Sequence, residues 1–287
     1  MIRQWSTCMA AREWRYLAAA ALLLASACLL LRGGGRTRGA VRPYVKTVET
    51  PVQEAGVGEE DDDADSALLE AYQDYNADVQ GLIRIPGSVL NHPVVQTPED
   101  EDYYLYRDLD GNYNSHGVPF LSKESRMEPD GGNRVIYGHN IYRNTRDVFC
   151  DLAYYEDLDY YKAHPYMETV SAFGTRRWII FAYFLVDNAD AEPFRYSDYT
   201  AFADEEELKG FLDEVERRNW LDVPVEVGWG DSLITLSSCS LELAGSGTNR
   251  MVVIGKLLGD ATEAEEIEET AALARMAGEP LLPEKLR

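Results

Sequence analysis

A thiol and, eleven residues later, a guanidinium are the side chains of this sequence best suited to chemistry. Cys239 ends the apolar run L-I-T-L-S-S-C, and Arg250 directly precedes a second apolar run, residues 251–258. Apolar, β-branched runs bounded by turn residues predict strands, and a strand end holds its side chain on a rigid scaffold. A thiolate can attack a carbonyl carbon, and a fixed positive charge can stabilise the oxyanion that forms. We therefore expect Cys239 and Arg250 to share one site.

A cysteine nucleophile needs a base or an imidazolium neighbour, because an isolated thiol holds little thiolate near neutral pH. Of the four histidines, His139 is the best placed, since it follows the short apolar strand R-V-I-Y in the turn G-H-N. The other three stand in turn-like contexts that predict solvated imidazoles: His92, His116 and His164. His139 is the predicted partner of Cys239.

The order of these motifs resembles that of the sortases, and within them class B. T-L-S-S-C followed by Arg250 is similar to the T-L-x-T-C strand and downstream arginine of that family, and V-I-Y-G-H-N is similar to the segment with its histidine. The likeness runs from residue 67 to residue 258 through G-L-I-R-I-P-G, D-Y-Y-L, D-V-F-C-D-L and Y-Y-K-A-H-P-Y. Ser238 departs from the family pattern, which usually has threonine directly before the cysteine. The change removes one methyl group and keeps the hydroxyl.

The resemblance implies a role for each side chain. Cys239 attacks the carbonyl of a threonine in the C-terminal sorting signal of a secreted protein, and a thioester forms. His139 is the acid for the departing amine and then the base for the incoming amine, while Arg250 holds the oxyanion. Asn91 and Ser237 match positions that line the substrate groove of class B sortases, although a turn asparagine and a buried strand serine also have structural explanations. The implied acceptor is an amine of a peptidoglycan cross-bridge or of a pilin lysine.

Composition narrows the classes of partner. The net charge of −23, from 27 Lys and Arg against 50 Asp and Glu, argues against a surface for nucleic acid. The remaining cysteines have separate explanations and do not form a disulfide framework: Cys8, Cys28 and Cys150. The sequence contains neither a C-x-x-C pair nor an H-E-x-x-H motif. We therefore expect no metal site and no cofactor.

An uncharged apolar segment, residues 16–31, lies between arginines near the start of the chain. Its sixteen residues are slightly short of a usual span, and snorkelling arginines can complete the crossing. A cleaved signal peptide is the alternative, but the apolar run continues past A-S-A to Arg32, which favours an uncleaved signal anchor. We predict a cytoplasmic stub and anchor at residues 1–32. The arginines do not set the orientation; the resemblance implies a single-pass protein of a Gram-positive cell membrane with an extracellular catalytic domain.

The rest of the chain divides by composition. Residues 33–64 combine G-G-G-R-T-R-G with the acidic run E-E-D-D-D, which predicts a flexible tether. Residues 65–258 form the predicted catalytic domain. Residues 259–287 are an acidic tail, either an amphipathic helix or frayed, and we assign it no chemistry.

The predicted domain is mainly β. After a helix capped by Ser66, nine short apolar segments separated by turn residues predict strands, at residues 82–85, 94–96, 118–121, 135–137, 169–173, 178–186, 224–227, 233–236 and 251–258. Such strands favour a closed barrel, and the resemblance implies a sortase-type barrel of about eight strands. Residues 204–219, acidic in the first turn and basic in the last, predict a helix inserted before the catalytic strand.

Other functions remain open. The protein could polymerise pilins, it could be a cysteine peptidase in which water resolves the thioester, or it could be an inactive tethered binding domain. An L,D-transpeptidase also pairs cysteine with histidine, but its S-H-G-C-type run is absent from the sequence.

Overall fold

A computed structural model describes residues 59–140, 147–239 and 248–287. The predicted anchor at residues 1–32 and residues 33–58 of the predicted tether lie outside these ranges. Within the described ranges, no helix combines the length and the apolar character needed to cross a bilayer. The first described helix, α1 (Glu59–Tyr75), begins inside the last part of the predicted tether.

Eight strands of the described chain close into a barrel in the order β1-β2-β3-β4-β8-β9-β6-β5. Their bounds are Val79–Arg84 (β1), Asn91–Val95 (β2), Phe120–Leu121 (β3), Gly132–Tyr137 (β4), Tyr166–Ser171 (β5), Gly174–Asp187 (β6), Ser232–Ser238 (β8) and Asn249–Leu257 (β9). The β2–β3 and β4–β8 pairs are parallel, and the other pairs are antiparallel. The mainly β, closed-barrel prediction is confirmed.

Side chains that alternate along each strand divide the core into an inner and an outer part. All eight barrel strands contribute to one buried cluster, which therefore fills the interior; its members include Ile83, Val94, Leu121, Ile136, Met167, Ile180, Leu236 and Met251. A second cluster takes strand residues only from β6, β8 and β9, among them Leu233 and Val252. This second cluster lies on the outer face of those three strands.

The helix α3 (Glu205–Arg218) covers this outer cluster with Phe211 and Val215. Asp204 begins it as the N-cap, because its carboxylate accepts a hydrogen bond from the Glu207 amide at 2.9 Å. The helix matches the one predicted before the catalytic strand. The shorter helix α2 (Leu158–Ala163) precedes β5.

The end of the chain is folded against the domain. Helix α4 (Ala264–Leu273) buries Ala271 in the interior cluster, which means that it lies at one end of the barrel. The short strand β10 (Arg275–Met276) then pairs with β7 (Leu221–Asp222) outside the barrel.

The strand predicted at residues 224–227 is wrong. Those residues are irregular, although Val223, Val225 and Val227 all pack on the outer cluster. Pro224 has no N–H to donate to a sheet, and the Val225 amide bonds locally to the Val223 carbonyl at 2.8 Å. The alternating valines reflect burial of one side of an extended segment and not strand pairing.

Candidate active site

The register between β4 and β8 brings His139 level with Cys239. Tyr137 is the parallel partner of Ser237, and the Gly138 amide donates to the Ser237 carbonyl at 3.1 Å. Beyond the strand ends, Asn140 Nδ2 donates to the Cys239 carbonyl at 3.2 Å, so the two segments stay side by side. Neighbouring strands lie about 4.8 Å apart, which is the expected backbone separation of His139 and Cys239.

The register between β8 and β9 adds Arg250 to the same row. Ser238 is the antiparallel partner of Met251, so the next pair along the ladder is Cys239 with Arg250. Facing residues of an antiparallel pair have Cα atoms about 4.5–5.5 Å apart. Three neighbouring strands thus deliver an imidazole, a thiol and a guanidinium to one end of the barrel.

Strand alternation, continued past the ends of β4 and β8, predicts that all three side chains face outward. Ile136, Leu236 and Met251 belong to the interior cluster. Successive side chains of a strand point to opposite faces, so residues an odd number of positions away point outside. His139 is three positions from Ile136, Cys239 is three from Leu236, and Arg250 is adjacent to Met251. The site is therefore open to the outer surface beside the cluster that α3 covers.

The segment before β3 positions the imidazole. His139 Nε2 donates to the Leu105 carbonyl at 2.7 Å, which leaves Nδ1 as the ring atom able to exchange a proton. The ring of the half-exposed Tyr106 lies 5.2 Å from the His139 ring between centroids. Burial lowers the pKa of His139, the hydrogen bond to Leu105 raises it, and the charges of His116 and Arg250 lower it further. The neutral imidazole is favoured, as a general base requires.

The contact between Gly138 and the Phe149 ring restricts the backbone next to His139. The Phe149 amide donates to the His139 carbonyl at 3.0 Å, and Ser238 Oγ donates to the Gly138 carbonyl at 2.7 Å. A Cβ atom on Gly138 would lie 2.6 Å from the Phe149 ring, so only glycine fits there. Val148, just before Phe149, has φ of 51°, a strained value for a β-branched residue. Such strain often accompanies functional sites.

The thiol and the guanidinium are both accessible in part. Cys239 is a partly exposed thiol, whereas the other cysteine of the described ranges, Cys150, is buried; neither forms a disulfide there. Arg250 Nη1 donates to the Asn249 carbonyl at 2.7 Å. The charge of Arg250 lowers the pKa of His139 and also that of Tyr196, whose pKa burial raises well above its usual value. Arg250 therefore lies near both side chains.

The structure separates the two predicted groove residues. Ser237 lies two positions before Cys239 on the same face, buried, with its hydroxyl 2.6 Å from the Tyr196 hydroxyl. Asn91 begins β2 as the partner of Arg84, whereas Val95 at the other end of β2 is in register with Phe120.

Because Phe120 pairs with Tyr137, the Val95 end of β2 is the one near His139. Asn91 is four residues away from that end, about 13 Å along the strand. The structure does not bring Asn91 to this row. Asn91 was assigned to the groove because its residue type matches a family position, and residue type alone does not determine where along β2 a residue lies.

Residue types alone did not reveal Leu105 and Tyr106, which contact His139. The Leu105 contribution is a backbone carbonyl, which any residue carries. The one available signal was D-Y-Y-L, a segment similar to class B sortases, which ends at Leu105.

No family model matches the sequence. Among curated proteins, sortase B of Listeria monocytogenes is 30% identical over 190 residues, 66% of this chain and 74% of that protein. Sortase B of Staphylococcus aureus is 27% identical over 192 residues, 66% of this chain and 74% of that protein. Among solved structures, a complex of Staphylococcus aureus sortase B with its substrate has a TM-score of 0.60 and 25% identity, covering 68% of this chain and 86% of that one.

The topology of the eight-stranded barrel and the similarity to these proteins identify the chain as a cysteine transpeptidase. The chain belongs to the sortase B family.

Proposed function

We propose that the protein is a membrane-anchored transpeptidase that cleaves the C-terminal sorting signal of secreted proteins and joins the new carboxyl end to an amine of the cell wall. The observation that carries this proposal is the row of His139, Cys239 and Arg250 on the outer face of β4, β8 and β9. A thiol, a proton carrier and an oxyanion donor are the three groups that acyl transfer needs.

In the first half-reaction, neutral His139 accepts the Cys239 proton at Nδ1, and the thiolate attacks the threonine carbonyl carbon. The Arg250 guanidinium donates to the oxyanion, where charge develops. The C–N bond then breaks, and His139 returns the proton to the departing amine. A thioester on Cys239 remains, and no proton is gained or lost overall.

In the second half-reaction, the acceptor amine attacks the thioester carbon and gives a proton to His139. Arg250 again holds the oxyanion, and the C–S bond breaks as the new amide forms. The departing thiolate takes the proton back from His139, which restores the starting state. Ser237 contributes indirectly, because its hydrogen bond to Tyr196 fixes the outer face beside the thiol.

The proposed setting is the outer face of a Gram-positive cell membrane. Its support is the uncharged run at residues 16–31 and the activity of the family. Retention of the full chain in membranes after alkaline extraction, with the catalytic domain open to protease on whole cells, is the expected result. Release by alkali, or protection of that domain, would contradict this setting.

The reaction is tested on full-length protein in detergent with a pool of quenched fluorescent peptides in which threonine is fixed and the flanking positions vary. We expect cleavage after threonine, and ligation to triglycine when it is present. Cys239→Ala should abolish both products, and Cys150→Ala is the matched control because it removes the buried thiol.

The outcomes separate the alternatives. A product profile that is unchanged by triglycine indicates a hydrolytic peptidase. Ligation to a lysine-containing peptide in preference to triglycine indicates a pilin polymerase. Absence of any product, together with resistance of Cys239 to alkylation in the folded protein, indicates an inactive binding domain and overturns the proposal.

A further inference from the structure

The loop before β3 that contacts His139 is fixed by hydrogen bonds between its two halves. It begins with a 3₁₀ helix, Tyr103–Tyr106. The Asn114 amide donates to the last carbonyl of this helix at 2.9 Å, and the Val118 amide donates to the Tyr104 carbonyl at 3.1 Å. Main-chain bonds therefore set the position of the helix.

A buried side chain and a glycine hold the same helix more firmly. Tyr104 is buried, and its hydroxyl donates to an Asp78 carboxylate oxygen at 2.7 Å. Gly117 has φ of 61° and lies so close to the Leu105 carbonyl that a Cβ atom there would be 2.5 Å from its oxygen. A larger residue does not fit at that position. Leu105 and the next residue, Tyr106, are thus held in place beside the active site.

The Tyr106 ring lies beside the imidazole that the Leu105 carbonyl orients. The centroids of the Tyr106 and His139 rings are 5.2 Å apart, and the ring planes are tilted by 38°, closer to stacked than to perpendicular. Tyr106 is 50% exposed, so this contact is not the packing of a core side chain. An aromatic ring attracts a cation that lies within about 6 Å of its centroid. The Tyr106 ring is in range to stabilise a protonated His139.

The other side chains around His139 disfavour its protonated form. Burial lowers the pKa of His139, and the charges of His116 and Arg250 lower it further, whereas the hydrogen bond to a backbone carbonyl raises it. His116 is itself bonded to Asp147, and Cys239 is the expected neighbour of His139 on β8. General acid–base catalysis nevertheless requires that the imidazole holds a second proton in each half-reaction.

We propose that Tyr106 is a positioning residue of the reaction, whose ring stabilises the imidazolium that His139 becomes when it holds the proton of Cys239 or of the acceptor amine. The ring and the Leu105 carbonyl then act in the same direction, against burial and the charge of Arg250. The ring itself exchanges no proton. The inference rests on the proposed function, in which His139 carries the proton.

The test measures the protonation of each histidine separately in full-length protein, without a peptide substrate. The Cε1 proton of histidine exchanges with deuterium at a rate that depends on the protonation of the ring. Peptide mapping by mass spectrometry over a series of pD values therefore gives one titration midpoint for each histidine.

Tyr106→Leu keeps an apolar side chain beside His139 and removes the ring. We expect it to lower the midpoint of His139 by about 0.4–0.7 unit, which is the contribution of a partly exposed cation–π contact. Tyr106→Phe keeps the ring and should leave that midpoint within about 0.2 unit of the parent value.

Tyr113→Leu is the matched control, because Tyr113 lies in the same loop, is 80% exposed and makes no ring contact with His139 in the described part of the chain. Two other histidines are internal references. His116 belongs to the same loop, and His164 follows α2 in another part of the domain. Their midpoints should stay in place in Tyr106→Leu, which would also show that the variant is folded.

The rate at which the threonine-fixed peptides acylate Cys239 gives the second readout. At pH values above both His139 midpoints, Tyr106→Leu should be acylated about two- to fivefold more slowly than the parent, because a weaker base holds the transferred proton less well. At pH values below both midpoints the difference should largely disappear, since the variant then has more neutral His139.

A His139 midpoint that is unchanged or raised in Tyr106→Leu, or lowered equally in Tyr106→Phe, would overturn the inference and leave the proposed function intact. An equal shift of His116 would indicate a displaced loop, and a lowered His139 midpoint without slower acylation would indicate no part in the reaction; either would also overturn the inference. Absence of acylation in the parent protein would overturn the proposed function, and with it the role of Tyr106, even if the midpoints shift as expected.

Discussion

Gly138→Ala is the substitution for which the structure gives the clearest expectation. The new Cβ atom would lie 2.6 Å from Cδ2 and 2.8 Å from two further atoms of the Phe149 ring. Ordinary contact distances are 3.4–4 Å, so the atoms must separate by about 1 Å. Phe149 is fully buried, and its amide bonds to the His139 carbonyl, while both backbone groups of Gly138 bond to β8. Neither side of the contact moves freely.

Two effects follow from that displacement. Overpacking of a buried site costs about 1–3 kcal/mol in the free energy of unfolding. Because His139 is the next residue, a shift of about 1 Å should reduce kcat about 100-fold with little change in KM. Urea denaturation at neutral pH measures the first effect, and steady-state ligation of triglycine to the best peptide of the pool measures the second.

Gly210→Ala is the matched control, because within the described ranges no atom outside the backbone of α3 lies within 4 Å of its Cβ position. It should raise the free energy of unfolding by up to about 1 kcal/mol and leave kcat unchanged. Phe149→Leu in the Gly138→Ala background should recover part of the lost kcat. A Gly138→Ala protein with the stability and kcat of the parent would refute the argument that this contact positions His139.

Three further predictions concern stability. Burial lowers the pKa of His92 in the folded protein, and its Nε2 is shielded from solvent. The stability that neutral His92 contributes is therefore fully present above the unfolded pKa of about 6.5 and is lost as the pH falls through the folded pKa. The urea midpoint should drop between pH 7.5 and 5.5, and a drop of equal size in His92→Gln would contradict this. Ser237→Ala removes the hydroxyl that lies 2.6 Å from the buried Tyr196 hydroxyl and should cost about 1–3 kcal/mol in the free energy of unfolding, measured by urea denaturation; a loss below about 0.5 kcal/mol would count against the hydrogen bond. Asp204→Ala removes the N-cap of α3 and should cost about 1 kcal/mol, whereas Asp204→Asn should cost little; equal losses in the two would point to charge and not to the cap.

The sequence carried enough information to predict the barrel and the three side chains of the row, for different physical reasons. Short apolar segments separated by turn residues predict a closed barrel, because closing the sheet lets such strands bury their apolar side chains and leaves no free edge. The resemblance supplied the order of histidine, cysteine and arginine. Strand pairing in the structure then places them side by side, since β4 and β8 run parallel and β9 returns antiparallel.

The position of Asn91 and the missed features depend on register or on backbone groups. The register of β2 pairs Asn91 with Arg84, four residues from the end of β2 that is near His139, and its place in the groove stays a prediction. Leu105 contributes a carbonyl, which no residue type signals.

Direct detection of an acyl group on Cys239 tests the central claim most closely. Full-length protein is mixed with the threonine-fixed peptides without an amine, quenched in acid and mapped by mass spectrometry. We expect a thioester at Cys239 that hydroxylamine removes and that triglycine discharges to an amide product, with less than about one hundredth of it in His139→Ala. An acyl group on another residue, or peptide cleavage with Cys239 unmodified at every time point, would contradict the account.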